Sequence, residues 1–295
     1  MISILIPIYN SNAFPLVFEL QKQFQKTGIA YEILCQDDAS KSPLNINNEE
    51  INSLPNCSFN SLKENLAHRE NRNLLAEKSK YNWLLFIDGD SKIISENYIL
   101  NYVNAISLGS DIIYGGRIHP EKCPSTSQML RWKYGKFTED KIAKEREKSK
   151  FTNLLFNNTL IKKECFNKVK FDKENKLYGH DDTQLSYQLS LLDVTVMHID
   201  NQIEHKDIDT NIEFVNKMND SILSLLRIYK SNKIPSNYVT ILKFYNILKK
   251  YKISYLIGFF FKIIKPVIEK QLVSNNPSLF LFDIYRVGLI CSIRT

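Results

Sequence analysis

The sequence has no glycine-rich phosphate loop: its nine glycines form neither G-x-G-x-x-G nor G-x-x-x-x-G-K-[ST], which excludes a Rossmann dehydrogenase and a P-loop enzyme. The five cysteines (Cys35, Cys57, Cys123, Cys165, Cys291) are odd in number, widely spread and never spaced C-x-x-C. Neither a disulfide framework nor a zinc knuckle is indicated, and reduced thiols in a cytoplasmic setting are expected. No apolar run approaches the ~20 residues that a bilayer span needs. The nearest, residues 253–268, is interrupted by Lys262, Lys265 and Pro266. Internal repeats and low-complexity segments are also absent. The opening Met1-Ile2-Ser3-Ile4-Leu5-Ile6-Pro7 has no basic n-region or small-residue cleavage site, so it reads as a first strand rather than a secretory leader.

What is present is ordinary globular composition, 43% hydrophobic and 24% charged, over 295 residues, enough for one large α/β domain with an appendage or for two domains. The net charge of +7 is unevenly spread. Residues 221–295 hold twelve Lys/Arg against two Asp/Glu, a net of +10, which leaves −3 for residues 1–220. A uniformly basic chain would point to nucleic acid. A mildly acidic body with a basic, aromatic tail points instead to an anionic membrane surface, with the protein peripheral on the inner face of the cytoplasmic membrane.

Through the first two hundred residues, apolar runs bounded by polar turns alternate with helical patterns, as in a mainly parallel sheet with covering helices. Strands are expected at Ile2 to Ile8, Tyr31 to Gln36, Trp83 to Asp88, Asp111 to Gly115 and Val194 to Ile199. Ser61-Leu62-Lys63-Glu64 has capping-box spacing and predicts a helix from there towards Lys80. The run Trp83-Leu84-Leu85-Phe86-Ile87 is apolar at every position, as a strand covered on both faces requires, and stops at Asp88-Gly89-Asp90. Two carboxylates spaced i, i+2 at the C-terminal end of a central strand suit a divalent cation bridging to diphosphate oxygens, at the edge where open α/β sheets bind ligands; a plain turn is the alternative. The charged stretch Thr138 to Lys150 reads as a solvated helix or mobile flap, a candidate lid.

From Glu213 onward the pattern becomes helical without strands. Ile241, Leu242, Tyr245, Leu248 and Tyr251 share one face of an amphipathic helix, with Lys243, Asn246, Lys249 and Lys250 largely opposite. Phe259-Phe260-Phe261 beside Lys262 and Lys265 suits insertion at a lipid interface; a helical subdomain with solvated lysines is the alternative.

Taken together, Ser3-Ile4-Leu5-Ile6-Pro7-Ile8-Tyr9-Asn10, Asp37-Asp38-Ala39-Ser40, Asn71-Arg72-Asn73, Asp88-Gly89-Asp90, Tyr178-Gly179-His180-Asp181-Asp182 and His198-Ile199-Asp200-Asn201 with His205 resemble family 2 glycosyltransferases of GT-A fold. The resemblance covers about residues 1 to 210. It implies an α/β GT-A domain over 1–215, followed by a helical extension over 216–295. It also implies that Pro7 and Tyr9 line a base pocket, that Asp38 bonds uracil or ribose, and that Asp88 and Asp90 with His205 hold Mn²⁺, with Mg²⁺ as the substitute. Arg72 is implied to help neutralise phosphate, an exposed helical salt bridge being the alternative. Ala39 stands where the family usually has glycine. Asp181 is implied as the general base taking the acceptor hydroxyl proton, where the family more often has Glu; N-capping the helix that begins there is the other role open to one of the two aspartates. Donor choice is expected to rest on Gly115-Gly116-Arg117 and Asn157-Asn158, with Asn158 touching the nucleotide sugar.

The expected reaction is inverting transfer of a hexose-type sugar from a nucleoside-diphosphate donor, with UDP-sugar favoured. Its acceptor is the hydroxyl of a saccharide or lipid-linked molecule, in surface polysaccharide or glycolipid assembly. Two rival readings are a non-catalytic membrane-associated scaffold and a sugar nucleotidyltransferase. The second needs a glycine-rich basic loop after the first strand, and Asn10-Ser11-Asn12-Ala13-Phe14 supplies none. Gln128-Met129-Leu130-Arg131-Trp132 matches the Q-x-x-R-W signature of processive synthases but lies ahead of Asp181 with no spanning helix nearby, so it is read as coincidence, with Arg131 and Trp132 positioning the acceptor side or packing a helix.

Overall fold

The computed structural model describes residues 1–293. Its strands are β1 (Ile2–Ile8), β2 (Tyr31–Asp37), β3 (Cys57–Ser61), β4 (Trp83–Ile87), β5 (Ser91–Ile93), β6 (Ile112–Tyr114), β7 (Arg117–Ile118), β8 (Asn158–Lys162), β9 (Val196–His198) and β10 (Ile203–His205). Its α-helices are α1 (Phe14–Thr27), α2 (Asn45–Glu49), α3 (His68–Lys78), α4 (Tyr98–Ile106), α5 (Met129–Tyr134), α6 (Ala143–Arg146), α7 (Lys163–Val169), α8 (Asp181–Ser190), α9 (Asn211–Lys230), α10 (Thr240–Lys250), α11 (Ile253–Leu272) and α12 (Leu279–Ser292). The chain divides into two compact units. The first comprises Met1–Ile118, Asp140–Glu174 and Gln188–Asp207, and the second comprises His119–Glu139, Asn175–Tyr187 and the chain from Ile208 onward. The boundary expected near residue 215 falls inside α9, because one helical core gathers segments from both sides of it.

All strands belong to the first unit. Seven form one sheet in the order β3-β2-β1-β4-β8-β6-β9, and β5-β10-β7 form a second. Pairing is parallel from β3 to β4 and between β6 and β9, whereas β8 runs antiparallel to both of its neighbours. Every residue of β1 is buried, because both faces of the sheet are covered. On one side Ile4, Ile6, Leu85 and Ile87 join Leu16, Val17, Leu20 and Phe24 of α1 in a single core. Elsewhere Phe86 meets the rings of Phe156, Phe166 and Phe171 at 5.0–6.3 Å. The register pairs Ile8 with Asp37 and Leu5 with Phe86, so the loops after β1, β2 and β4 leave the sheet along one edge.

The five expected strands are present: β1 has the expected ends, β2 runs one residue further, and β4, β6 and β9 are shorter by one, two and three residues; the antiparallel β8, the edge strand β3 and the small sheet were not expected. One expected helix is displaced. No helix starts at Ser61: it ends β3, and its hydroxyl donates to Asp37 Oδ2 at 2.8 Å, so the helix begins seven residues later at His68. Of the two readings of the stretch to Lys150, its first-unit part takes the largely exposed helix and not the flap. Arg146 of α6 is buried over the Tyr114 ring at 5.2 Å and donates to the carbonyls of Ile199 (2.7 Å) and Lys141, which ties the segment down.

In the second unit, α5 and α9 to α12 enclose a separate core that includes Leu130, Phe214, Leu225, Tyr245, Phe282 and Tyr285. Helix α9 opens on a capping box: Glu213 N–H donates to Thr210 Oγ1 (3.3 Å), and Thr210 N–H donates to the Glu213 carboxylate (2.8 Å). Ile241, Leu242, Tyr245 and Leu248 are buried as expected; Tyr251 is exposed, because α10 ends one residue before it. Among the described residues, no helix is long and apolar enough to cross a membrane.

Candidate functional site

The aspartate pair sits where β4 leaves the sheet. Gly89 turns against the end of β1: its N–H reaches Pro7 O at 3.3 Å, and a Cβ there would lie 3.0 Å from the same oxygen and 3.1 Å from Ile8. A larger residue would crowd the end of β1, whose atoms would have to give by a few tenths of an ångström. The chain then enters β5 at once, and antiparallel pairing sets Ser91 opposite His205 of β10. Residues far apart in sequence meet there: His205 Nδ1 lies 3.2 Å from Asp90 Oδ2, and Lys206 N–H reaches Asp90 O at 3.3 Å. Asp90 Oδ1 is buried and meets no hydrogen-bond donor among the described residues.

Asp88 is directed differently. Its Oδ1 accepts a 2.6 Å bond from the Arg72 guanidinium of α3, which is almost wholly buried and lies 5.2 Å from the Phe171 ring. Burial alone would raise the Asp88 pKa, but the Arg72 charge, helped by His68 and His205, outweighs it and holds the carboxyl below the usual carboxylate range. Arg72 is therefore not an exposed helical salt bridge. It fixes the first aspartate of the pair.

Among the described residues, no three His, Cys, Asp or Glu side chains are gathered into a metal cage. The expected trio is thus only partly assembled: Asp90 and His205 are adjacent, while Asp88 engages Arg72. The donor set nevertheless fits a cation of the manganese type, with hard carboxylate oxygen beside a tolerated imidazole. The unmatched Asp90 Oδ1 is the observation that favours it, since a buried carboxylate oxygen with no donor is costly.

Along the same edge lie the residues expected at the nucleoside. Pro7 is buried in β1, and Tyr9, just past the strand, is 63% exposed. Asp38 follows β2 with its N–H on Ile8 O at 2.9 Å and its Oδ1 accepting from Leu66 N–H at 2.7 Å. Burial raises its pKa, and the backbone N–H groups of Leu66 and Ala67 partly offset that. Ala39 adopts φ +54°, so the position where glycine is usual does require the left-handed region. Asp37, the other half of the acidic pair, closes this loop: its carboxylate accepts from Ser40 N–H (3.0 Å), Ser40 Oγ (2.5 Å) and Ser61 Oγ (2.8 Å), a role not expected of it. Its position beside Asp38 at a strand end was the available signal.

Asn158 does not fill its expected role. It is fully buried in β8; its Oδ1 accepts from the Tyr98 (2.5 Å) and Tyr102 (2.8 Å) hydroxyls, and its Nδ2 donates to the carbonyls of Gly116 (2.6 Å) and Asn201 (2.9 Å). With both ends of the amide spent inside the unit, it braces the Gly115-Gly116 turn instead of touching a donor.

Asp181 belongs to the second unit and is the first residue of α8. Gly179 (φ +85°) and His180 (φ +61°) turn the chain into the helix, and a Cβ on Gly179 would come 2.9 Å from Ser221 Oγ. The turn is pinned by Ser224 Oγ donating to Gly179 O at 2.7 Å. His180 stands at the cap: its carbonyl accepts from Gln184 N–H at 3.0 Å, and its Nδ1 lies 3.1 Å from Thr183 Oγ1. Neither aspartate occupies the cap position, and both lie in the first turn, where the helix dipole favours carboxylates. The Q-x-x-R-W residues pack within the unit. Arg131 is buried, pairs with Glu139 at 3.0 Å and lies 5.2 Å from the Phe214 ring, while Trp132 Nε1–H donates to Pro120 O at 2.8 Å.

A model of glycosyl transferase family 2 matches residues 3–170. An uncharacterized glycosyltransferase of Haemophilus influenzae is 29% identical over 149 residues, 50% of this chain and 47% of that protein, so the match spans about half the relative's length. Among solved structures, the mannosyltransferase PcManGT from Pyrobaculum calidifontis in complex with GDP-Man and Mn²⁺ superposes with a TM-score of 0.57 at 11% identity, over 99% of this chain and 85% of that one. S. aureus TarS 1–349 in complex with UDP-GlcNAc gives 0.54 at 14% identity, over 97% and 90%. The sheet and its covering helices therefore have the GT-A fold that the sequence resemblance implied.

Proposed function

The chain belongs to glycosyl transferase family 2, and from that membership we propose that it transfers a hexose-type sugar from a nucleoside-diphosphate donor to an acceptor hydroxyl with inversion at the anomeric carbon. The observation that carries the reading is Asp90, half-buried beside His205 at the C-terminal edge of the sheet, with its buried Oδ1 unmatched among the described residues. Asp88, Asp90 and His205 are the residues that would hold Mn²⁺ or, less favourably, Mg²⁺. Such an ion, when bound, offsets the negative charge of the departing diphosphate.

The remaining work falls to the chain itself. Pro7 and Tyr9 offer an apolar and aromatic seat for the base, and Asp38, an acceptor when ionised, suits an imide N–H or a ribose hydroxyl; that favours a uridine donor. Arg72 keeps Asp88 ionised and oriented. Asp181 removes the proton from the acceptor hydroxyl as it attacks, and the acceptor is a saccharide or lipid-linked alcohol. The solved neighbours hold UDP-GlcNAc and GDP-Man, so a nucleotide-sugar donor suits this fold, while the base and sugar are for experiment to choose.

The test is nucleoside-diphosphate release across a panel of UDP- and GDP-sugars with Mn²⁺. Asp90→Ala is expected to lower release by about 100-fold or more, and chelation by EDTA should do the same to the wild type. Asp181→Asn is expected to lower kcat by roughly 10²–10⁴ with the donor KM little changed. Full activity in folded Asp90→Ala would overturn the site.

A further inference from the structure

The second unit exposes an apolar surface that its own core does not use. Helix α11 buries Gly258, Phe261, Ile268 and Leu272 on one side. On the opposite side it presents Leu256, Phe259, Phe260, Ile263, Ile264 and Val267, each at least 44% exposed. A helix apolar on both sides is normally enclosed on both. The surface continues over Phe244 of α10 and over Phe280 and Ile284 of α12, where the three helices border an open groove of about 440 Å³. One acid lines that groove, Asp283, and it pairs with Arg286 at 3.3 Å.

The triplet Phe259-Phe260-Phe261 does not act as a block. Phe261 is buried, with its ring 5.5 Å from that of Tyr285 and packed so closely on Gly288 that a Cβ there would come 2.1 Å from the ring. Only its two neighbours face outward. The surface is thus set by helical spacing, not by the aromatic cluster that stands out in the sequence.

Charge decides what covers it. Exposed lysines border the apolar face: Lys243 and Lys250 on α10, Lys252 at the start of α11, and Lys262 and Lys270 along it. The other acid of the region, Glu269, is taken by Lys265 (3.6 Å) and the Tyr285 hydroxyl (2.9 Å). With residues 221–295 at a net +10, a second copy seated on this face would bring two like-charged surfaces together. An anionic bilayer surface answers both features: side chains at the headgroup boundary receive the apolar face, and lysines reach back along their stems to the phosphates.

We propose that the outward faces of α10, α11 and α12 dock on an anionic membrane surface, with Leu256, Phe259, Phe260 and Ile263 entering the headgroup boundary and Lys243, Lys250 and Lys262 meeting lipid phosphate. The proposal is independent of the transfer reading, because none of these residues belongs to the donor or acceptor site.

The full-length chain is sedimented with vesicles of phosphatidylcholine alone and with roughly 30% phosphatidylglycerol added, at low and high salt. Binding is expected only to the anionic vesicles and should fall with salt. Leu256→Ser/Phe259→Ser/Ile263→Ser should abolish it. Lys243→Gln/Lys250→Gln/Lys262→Gln, which leaves the apolar face intact, should weaken it on the order of 100-fold, at roughly fivefold for each lysine lost. Far-UV circular dichroism and the thermal midpoint verify that each variant is folded. Wild-type binding that is absent, equal on neutral vesicles, or unchanged in the folded serine variant overturns the proposal. So does a lipid-free dimer by light scattering that the serine variant converts to monomer, which would assign the face to a second copy.

Discussion

A half-buried carboxylate with one oxygen unmatched and an imidazole that keeps its partners only while neutral are both residue-scale facts. Asp90 is in the first position and awaits a cation. His198 is in the second: Arg146 Nε–H donates to its Nδ1 at 3.3 Å, which leaves Nε2–H to donate to Lys150 O at 2.9 Å. Protonating Nδ1 would set N–H against N–H. Burial, aided by the Arg146 and Lys150 charges and opposed by the Lys150 carbonyl and Glu147, pushes the His198 pKa below its usual value. The unfolded chain therefore binds this proton more readily than the folded one. The His198 contribution is complete above about pH 6.5 and is lost as pH falls below that. Urea unfolding at pH 7.5 and 5.5 should show a steeper fall in the wild type than in His198→Asn, whose amide oxygen can accept from Arg146. The difference is bounded at about 1.4 kcal/mol per pH unit for one proton; equal slopes would contradict the assignment. Asp88 and Asp90 were legible in the sequence because an apolar run ended on them. The roles of Asn158, Arg146 and Asp37 were not, because each depends on partners brought in by other parts of the fold: α4, the turn after β9, and β3.

Elements were legible where local pattern and tertiary demand agreed. The wholly apolar β4 and the β1 strand, apolar but for Ser3, are central strands, and the amphipathic α10 buries its predicted stripe up to Leu248. The sharpest contrast is between two stretches with the same capping-box spacing. Ser61-Leu62-Lys63-Glu64 and Thr210-Asn211-Ile212-Glu213 read alike, yet only the second caps a helix. Ser61 is held as the last residue of β3, where pairing with β2 sets it opposite Asp37 and its hydroxyl is donated to that carboxylate. A short edge strand with a mostly exposed, polar sequence gives no periodic signal, so nothing local forbade the helix. The antiparallel β8 was hidden for a related reason: direction is not written in the composition of a strand buried on both faces. Thr210→Ala should cost about 1 kcal/mol in urea unfolding, while Glu64→Ala, in an exposed loop, should fall within error. A comparable loss for Glu64→Ala would mean that the loop carries an interaction of its own.

At the scale of the whole molecule, neither compact unit is a continuous stretch of chain. The second draws on His119–Glu139 and Asn175–Tyr187 as well as on the helices after Ile208, so the boundary expected at 215 lies within its packing: the helical pattern sets in near there, but the packing does not change. Cutting the chain after residue 215 would sever α9 within its second turn. It would remove Ile222, Leu225, Leu226 and Phe282 and leave Leu130, Tyr134 and Phe214 facing solvent. Loss of this many core side chains far exceeds what a single cavity costs, so the shortened chain is expected to aggregate or to bind a hydrophobic dye strongly. The two tryptophans separate the outcomes, since Trp83 lies in the first unit and Trp132 in the second. In a Trp83→Phe background, truncation should shift Trp132 emission to the red as the packing around α5 is lost. The wild-type Trp83 environment, set by β4 and Lys162, should persist in any first unit that stays folded. An unshifted Trp132 in a monomeric, dye-silent 1–215 protein would show instead that the helices after 215 are a true appendage, and that the basic charge they carry was added to a core already complete without them.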